Sequence, residues 1–109
     1  MRKKHRNVEH HKLVAMGSNY KYAIQRIQEL NQQKVNSPSE KDIKEKYIDY
    51  VVRIGQAFAK FDHLERQFLR NEYFAPLPKG WWVPFYSRAT YYRIRLNVAR
   101  KFLFYISMV

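Results

Sequence analysis

Arg88, Arg93, Arg95, Arg100 and Lys101 stand within one short stretch that contains no carboxylate. A guanidinium offers a planar fork of donors that fits the edge of a guanine or a phosphate oxygen pair, so a run of arginines without acids favours polyanion recognition. Around these cations the side chains at 91, 94, 98 and 102 are apolar, and Ser87 precedes them. That spacing follows 3.6 residues per turn, and serine is a preferred N-cap, so residues 87–103 read as a helix with one buried stripe and a basic remainder. Near the start of such a helix Arg88, Ala89, Tyr92 and Arg93 face outward. Two arginines there can each chelate a guanine, while Ala89 can meet a thymine methyl. Ser87, Thr90, Arg95 and Lys79, with Arg100 and Lys101 further along, are candidates for phosphate, which positions a protein on a duplex without reading its sequence.

The charge of the whole chain points the same way. Of its 109 residues, 1–12 carry five Lys/Arg against one Glu, 13–72 carry ten against eight, and 73–109 carry six against none. The net values are +4, +2 and +6 within a total of +12. Cations thus gather at the two ends while the middle is nearly balanced, the asymmetry expected of a protein with an acidic partner. At the N-terminal end Arg2, Lys3, Lys4 and Arg6 belong to a basic flexible arm, residues 1–12, suited to following a nucleic-acid backbone or to a solubilising role. His5, His10 and His11 lie in or beside it, but no accompanying carboxylate pattern makes them metal ligands.

The elements that must hold the C-terminal segment are helical. Apolar residues 20, 23, 24, 27 and 30 follow helical spacing after Gly17-Ser18-Asn19, which reads as a helix start. Ser37-Pro38-Ser39-Glu40 has the form of a capping box with proline in the first turn, and opens a long helix whose stripe is Ile43, Tyr47, Val51, Ile54, Phe58 and Phe61. Asp42, Glu45 and Asp49 lie off that stripe among lysines and read as a solvated face rather than a metal site. Asp62-His63-Leu64-Glu65 repeats the capping pattern and predicts a helix to about Tyr73 burying Leu64, Phe68 and Leu69. Pro76, Pro78 and Gly80 then enforce a turn. Trp81, Trp82, Val83, Phe85 and Tyr86 follow, with Pro84 limiting any helix there. These rings read either as core or as platforms for single-stranded bases.

The expected architecture is therefore all-α: a small helical bundle ending in a long C-terminal recognition helix. Its divisions are the arm 1–12, an N-terminal helical segment 13–60 of two helices, and residues 61–109. The longest apolar run, Phe102 to Ile106, is far short of the ~20 residues a membrane span requires, and no secretory signal pattern follows the basic start. No cysteine is present, which removes disulfides and thiolate metal sites and accords with a reducing cytosol; the expected location is cytoplasmic and, for a partner of nucleic acid, nucleoid-associated. Nucleophile elbows, phosphate-binding glycine loops and His/carboxylate constellations are all missing, so neither an enzyme nor a bound cofactor or metal is expected.

Leu64 to Phe74, a turn, and Ser87 to Leu103 together resemble region 4 of bacterial sigma-70 factors, the ArpU-type phage transcriptional regulators and a related small mollicute family. Ser87, Arg88, Ile94, Arg100 and Lys101 match the recognition-helix pattern, with Tyr91, Val98 and Phe102 in its apolar slots. The resemblance implies a sigma region 4-like helix-turn-helix and a sequence-specific DNA-binding transcriptional regulator. Its partners would be double-stranded DNA, with RNA polymerase and a second copy of the chain as further candidates. Two features depart from the pattern: Trp81 to Tyr86 replaces a regular second helix, and Ala89 stands where housekeeping sigma factors usually have Glu. The alternative is a non-enzymatic interaction protein that holds RNA polymerase or RNA through its basic and aromatic surface.

Overall fold

A computed structural model of the chain describes residues 7–33 and 36–109. Among these, four α-helices and no strand are present: α1 (Val8–Asn31), α2 (Pro38–Phe58), α3 (His63–Leu69) and α4 (Arg88–Ile106), with a π-helical turn, Arg70–Phe74, continuing α3. The all-α class is as expected. None of these helices is long and apolar enough to cross a membrane.

Three helix starts follow from local capping. Ser37 accepts from the Glu40 amide while its own amide donates to Glu40, and Asp62 and Glu65 do the same for α3. At α4 the Thr90 amide donates to the Ser87 hydroxyl at 3.2 Å. Each bond satisfies a free first-turn amide, which is why these starts are fixed by neighbouring residues alone.

The start of α1 differs from expectation. The helix does not begin at Gly17-Ser18-Asn19 but at Val8, so residues 8–12, assigned to the flexible arm, form its first turns. Leu13, Gly17, Ala23 and Leu30 are its buried residues, a helical stripe that reaches seven residues further back than Tyr20 suggests. Gly17 is there for proximity: a Cβ at this position would sit 2.0 Å from the Tyr73 carbonyl oxygen. Arg2, Lys3, Lys4 and Arg6 lie outside the described residues.

Helices α1 and α2 form an antiparallel hairpin, tied by the Tyr50 hydroxyl donating to the Met16 carbonyl at 3.2 Å and by the edge-to-face rings of Tyr22 and Tyr47. Only the second half of α2 enters the main core: Ile54 and Ala57 are buried, whereas Ile43 stays 42% exposed near the far end of the hairpin. The core itself lies where α1, the end of α2, the π turn and α4 meet. Phe102 of α4 is fully enclosed there by the rings of Phe58, Phe61 and Phe74, whose centroids lie 5.4–6.2 Å away. Segments 13–60 and 61–109 thus share one core.

Helix α3 gives way at Arg70, where the Ala75 amide donates to the Arg70 carbonyl at 2.8 Å, five residues back. The wider turn buries Tyr73 and Phe74 against α1 and leaves Leu64, expected in the core, 72% exposed. The segment that stands in place of a regular second helix is a succession of turns through residues 79–85, in which Gly80 has φ +84°. Trp81, Trp82 and Tyr86 pack onto the core, while Val83 and Phe85 point outward.

Candidate nucleic-acid interface

Tyr91, Val98 and Phe102 seat α4 on the core as its spacing predicts, and Ile94 is half-buried beside them. This rotation decides which cations reach solvent. Arg88, Ala89, Tyr92 and Arg93 are all exposed, with the Arg88 guanidinium 5.9 Å from the Tyr92 ring centroid. Lys79 is exposed in the turn ahead of the helix. Thr90 is half-buried, and its hydroxyl accepts from Ser87.

Other cations of the segment are not free. Arg95, read as a phosphate contact, turns inward: its side chain is 14% exposed, 3.8 Å from Glu72, with the guanidinium 4.7 Å from the Tyr92 ring centroid. Lys101 donates to Glu65 at 2.5 Å and lies over the Phe61 ring. Arg100 donates to Glu9 at 3.3 Å in an exposed pair. The helix carries no acid of its own, but α1, α3 and the π turn each bring one to it. An exposed pair such as Arg100–Glu9 is worth little and can exchange partners, whereas Arg95 is enclosed.

Glu72 is the residue that sequence reading missed. Its Oε1 accepts from the Trp81 indole at 2.9 Å, and its Oε2 accepts from the Tyr91 hydroxyl at 2.5 Å and faces Arg95. One carboxylate therefore joins the π turn, the aromatic turn and α4. The available signal was position: Glu72 is the last acid before 37 residues with none. Burial, and then the Glu72 bond, pushes the Tyr91 hydroxyl above its ordinary pKa, so it stays a donor.

His10 on α1 completes this region. Its Nδ1 and the Tyr73 hydroxyl are hydrogen-bonded at 2.8 Å. Burial, followed by the charges of Arg95 and His11, lowers its pKa to about 4, so the ring is neutral at physiological pH. Burial also raises the Tyr73 hydroxyl.

Two concavities adjoin along α4 and share His10, Tyr92 and Arg95. One, about 570 Å³, lies between the start of α1 and α4 and reaches Leu96 and Arg100. The other, about 510 Å³, lies between the turn and α4 and is walled by Lys79, Gly80, Trp81, Trp82 and Tyr91. No family model, curated protein or solved structure matches the chain. The geometry of the α4 face is thus the basis for a functional reading. Among the described residues no cluster of His, Asp and Glu is arranged to hold a metal ion, and Asp42, Glu45 and Asp49 remain on the exposed side of α2.

Proposed function

We propose that the protein is a sequence-specific DNA-binding transcriptional regulator that sets the first half of α4 into the major groove, in the manner of a sigma region 4-like helix-turn-helix. The observation that carries this reading is the exposure of Arg88, Ala89, Tyr92 and Arg93, without an acidic partner for either arginine among the described residues. At 100° per residue these four positions fall within about 140° of the helix circumference, a width that a groove-seated helix can present to base edges. Trp81, Trp82 and Tyr86 take the place of a second helix, supporting the start of α4 by packing rather than by a regular turn of helix. Lys79 and Arg100 flank the face as phosphate contacts, with Ser87 and Thr90 at the helix start.

Fluorescence anisotropy against fragments selected from genomic DNA tests the reading. Arg88→Ala with Arg93→Ala should weaken selected duplex at least tenfold, since each guanine chelate contributes about 1–3 kcal/mol, and should leave the helical circular dichroism unchanged. Unchanged affinity in that double variant would refute it.

A second reading, an interaction protein docking on RNA polymerase, is favoured by the exposure of Leu64, Val83 and Phe85, of which Leu64 and Phe85 line one concavity between α3 and the aromatic turn. It expects binding to polymerase that survives the loss of both arginines and fails when Leu64 and Phe85 become Ser.

A further inference from the structure

The concavity between the turn and α4 shares Tyr92 and Lys79 with the proposed duplex face, but its Trp81, Trp82 and Tyr91 rings are features that duplex recognition leaves unused. Its volume, about 510 Å³, is ample for a single nucleotide. Its walls carry four aromatic rings, and Trp82 is held flat on Tyr91, with centroids 4.3 Å apart and planes inclined by 10°. Tyr91 in turn is clamped by Glu72, so the stacked pair is pre-set and little side-chain freedom remains to be lost on binding. Lys79 stands exposed at the mouth. Gly80 beside it has φ +84° and no side chain, which lets a phosphate approach the backbone of the turn.

Glu72 also lines this space, and a free carboxylate would repel an anion. Both its oxygens are engaged, Oε1 by Trp81 and Oε2 by Tyr91, with Arg95 opposite. Arg95 cancels its charge, and Lys79 remains as the net cation.

We propose that this concavity is a nucleotide-binding pocket that takes one base against the Trp82 and Tyr92 rings and the attached phosphate at Lys79. The shared chemistry is a nucleoside monophosphate unit, supplied either as a free nucleotide or as an unpaired nucleotide within a strand. Stacking on aromatic rings tolerates any base, so the pocket discriminates paired from unpaired rather than one letter from another. The site goes beyond the duplex reading and does not require it.

The two tryptophans of the chain, Trp81 and Trp82, both line the pocket, so intrinsic fluorescence reports on it directly. The whole protein would be titrated with adenosine monophosphate, with a short single-stranded oligodeoxynucleotide, and with blunt duplex followed separately by anisotropy. Saturable quenching by the mononucleotide or the single-stranded oligonucleotide is expected, and the tighter of the two identifies the source. Tyr92→Ala should weaken it on the order of tenfold to a hundredfold, the effect of removing one base–ring stack, and Lys79→Glu by at least tenfold. Lys41→Glu, the same charge change on the first turns of α2 at the opposite end of the hairpin, should leave it unaltered. Quenching by neither probe, quenching indifferent to Lys79→Glu, or an equal loss in Lys41→Glu would each overturn the site. Duplex binding without nucleotide quenching would remove the pocket and keep the regulator, and the reverse result would do the opposite.

Discussion

Gly17 and Gly55 are both helical glycines, and the structure gives alanine opposite effects at the two. At Gly17 the added methyl would lie 2.0 Å from the Tyr73 carbonyl oxygen and 2.8 Å from its carbon, where ordinary contact begins near 3.4 Å. The obstacle is backbone, so α1 and the π turn must separate by a large part of the 1.4 Å shortfall. Overpacking of this kind costs about 1–3 kcal/mol, and more when the neighbour is rigid. Alanine recovers up to about 1 kcal/mol of helix propensity. We expect a net loss of about 2 kcal/mol, which lowers the melting temperature of a domain this size by roughly 10 °C. At Gly55, on the exposed side of α2, nothing lies within 4 Å of the new methyl. Only the propensity gain remains there, and Gly55→Ala should raise the melting temperature by about 3–6 °C. Thermal denaturation followed at 222 nm measures both. If Gly17→Ala melts at or above the parent temperature, the close approach of α1 to the π turn is wrong.

Glu72→Ala strands the Trp81 indole, the Tyr91 hydroxyl and Arg95 together, and should cost about 3 kcal/mol in chemical denaturation with a red shift in tryptophan emission. An unshifted spectrum would deny the carboxylate its junction role. His10, with a folded pKa of about 4 against 6.5 unfolded, binds its proton more readily in the unfolded chain, so its contribution is complete above pH 6.5 and is lost as pH falls towards 4. After discounting for its partial exposure this amounts to about 1–2 kcal/mol, and His10→Gln should flatten stability between pH 7 and 4.5 relative to the parent.

What the sequence discloses is whatever neighbouring residues decide. Ser37 with Glu40, Asp62 with Glu65, and Ser87 with Thr90 fix their helix starts within four residues, and the 91, 98, 102 stripe sets how α4 is turned. Gly17 reads as punctuation because its reason for being glycine lies across the core, at Tyr73. Leu64 and Ile43 satisfy helical spacing and are nevertheless exposed, since spacing reports a face and not whether another element covers it. The candidate site divides in the same way: Arg88 and Arg93 are exposed, with no acidic partner among the described residues, whereas the partners of Lys101 and Arg100 come from 36 and 91 residues away. No local pattern carries that information.

These distant acids give the basic helix its direction. Were all six cations beyond residue 72 open, the segment would attract a polyanion along its whole length and in any orientation. Glu72 encloses Arg95, Glu65 holds Lys101 and Glu9 faces Arg100, so attraction is strongest at the Ser87 end, where Arg88, Arg93 and Lys79 have no acid against them among the described residues. In the proposed duplex complex, binding energy would thereby be concentrated at the end whose side chains face the bases. The same arrangement limits the electrostatic share of affinity: with Arg88 and Arg93 on base edges, two phosphates neutralised by Lys79 and Arg100 correspond to a loss of about tenfold between 50 and 200 mM salt, against about 10³ for six. The steepness of that dependence therefore measures how many cations the fold has left for its partner.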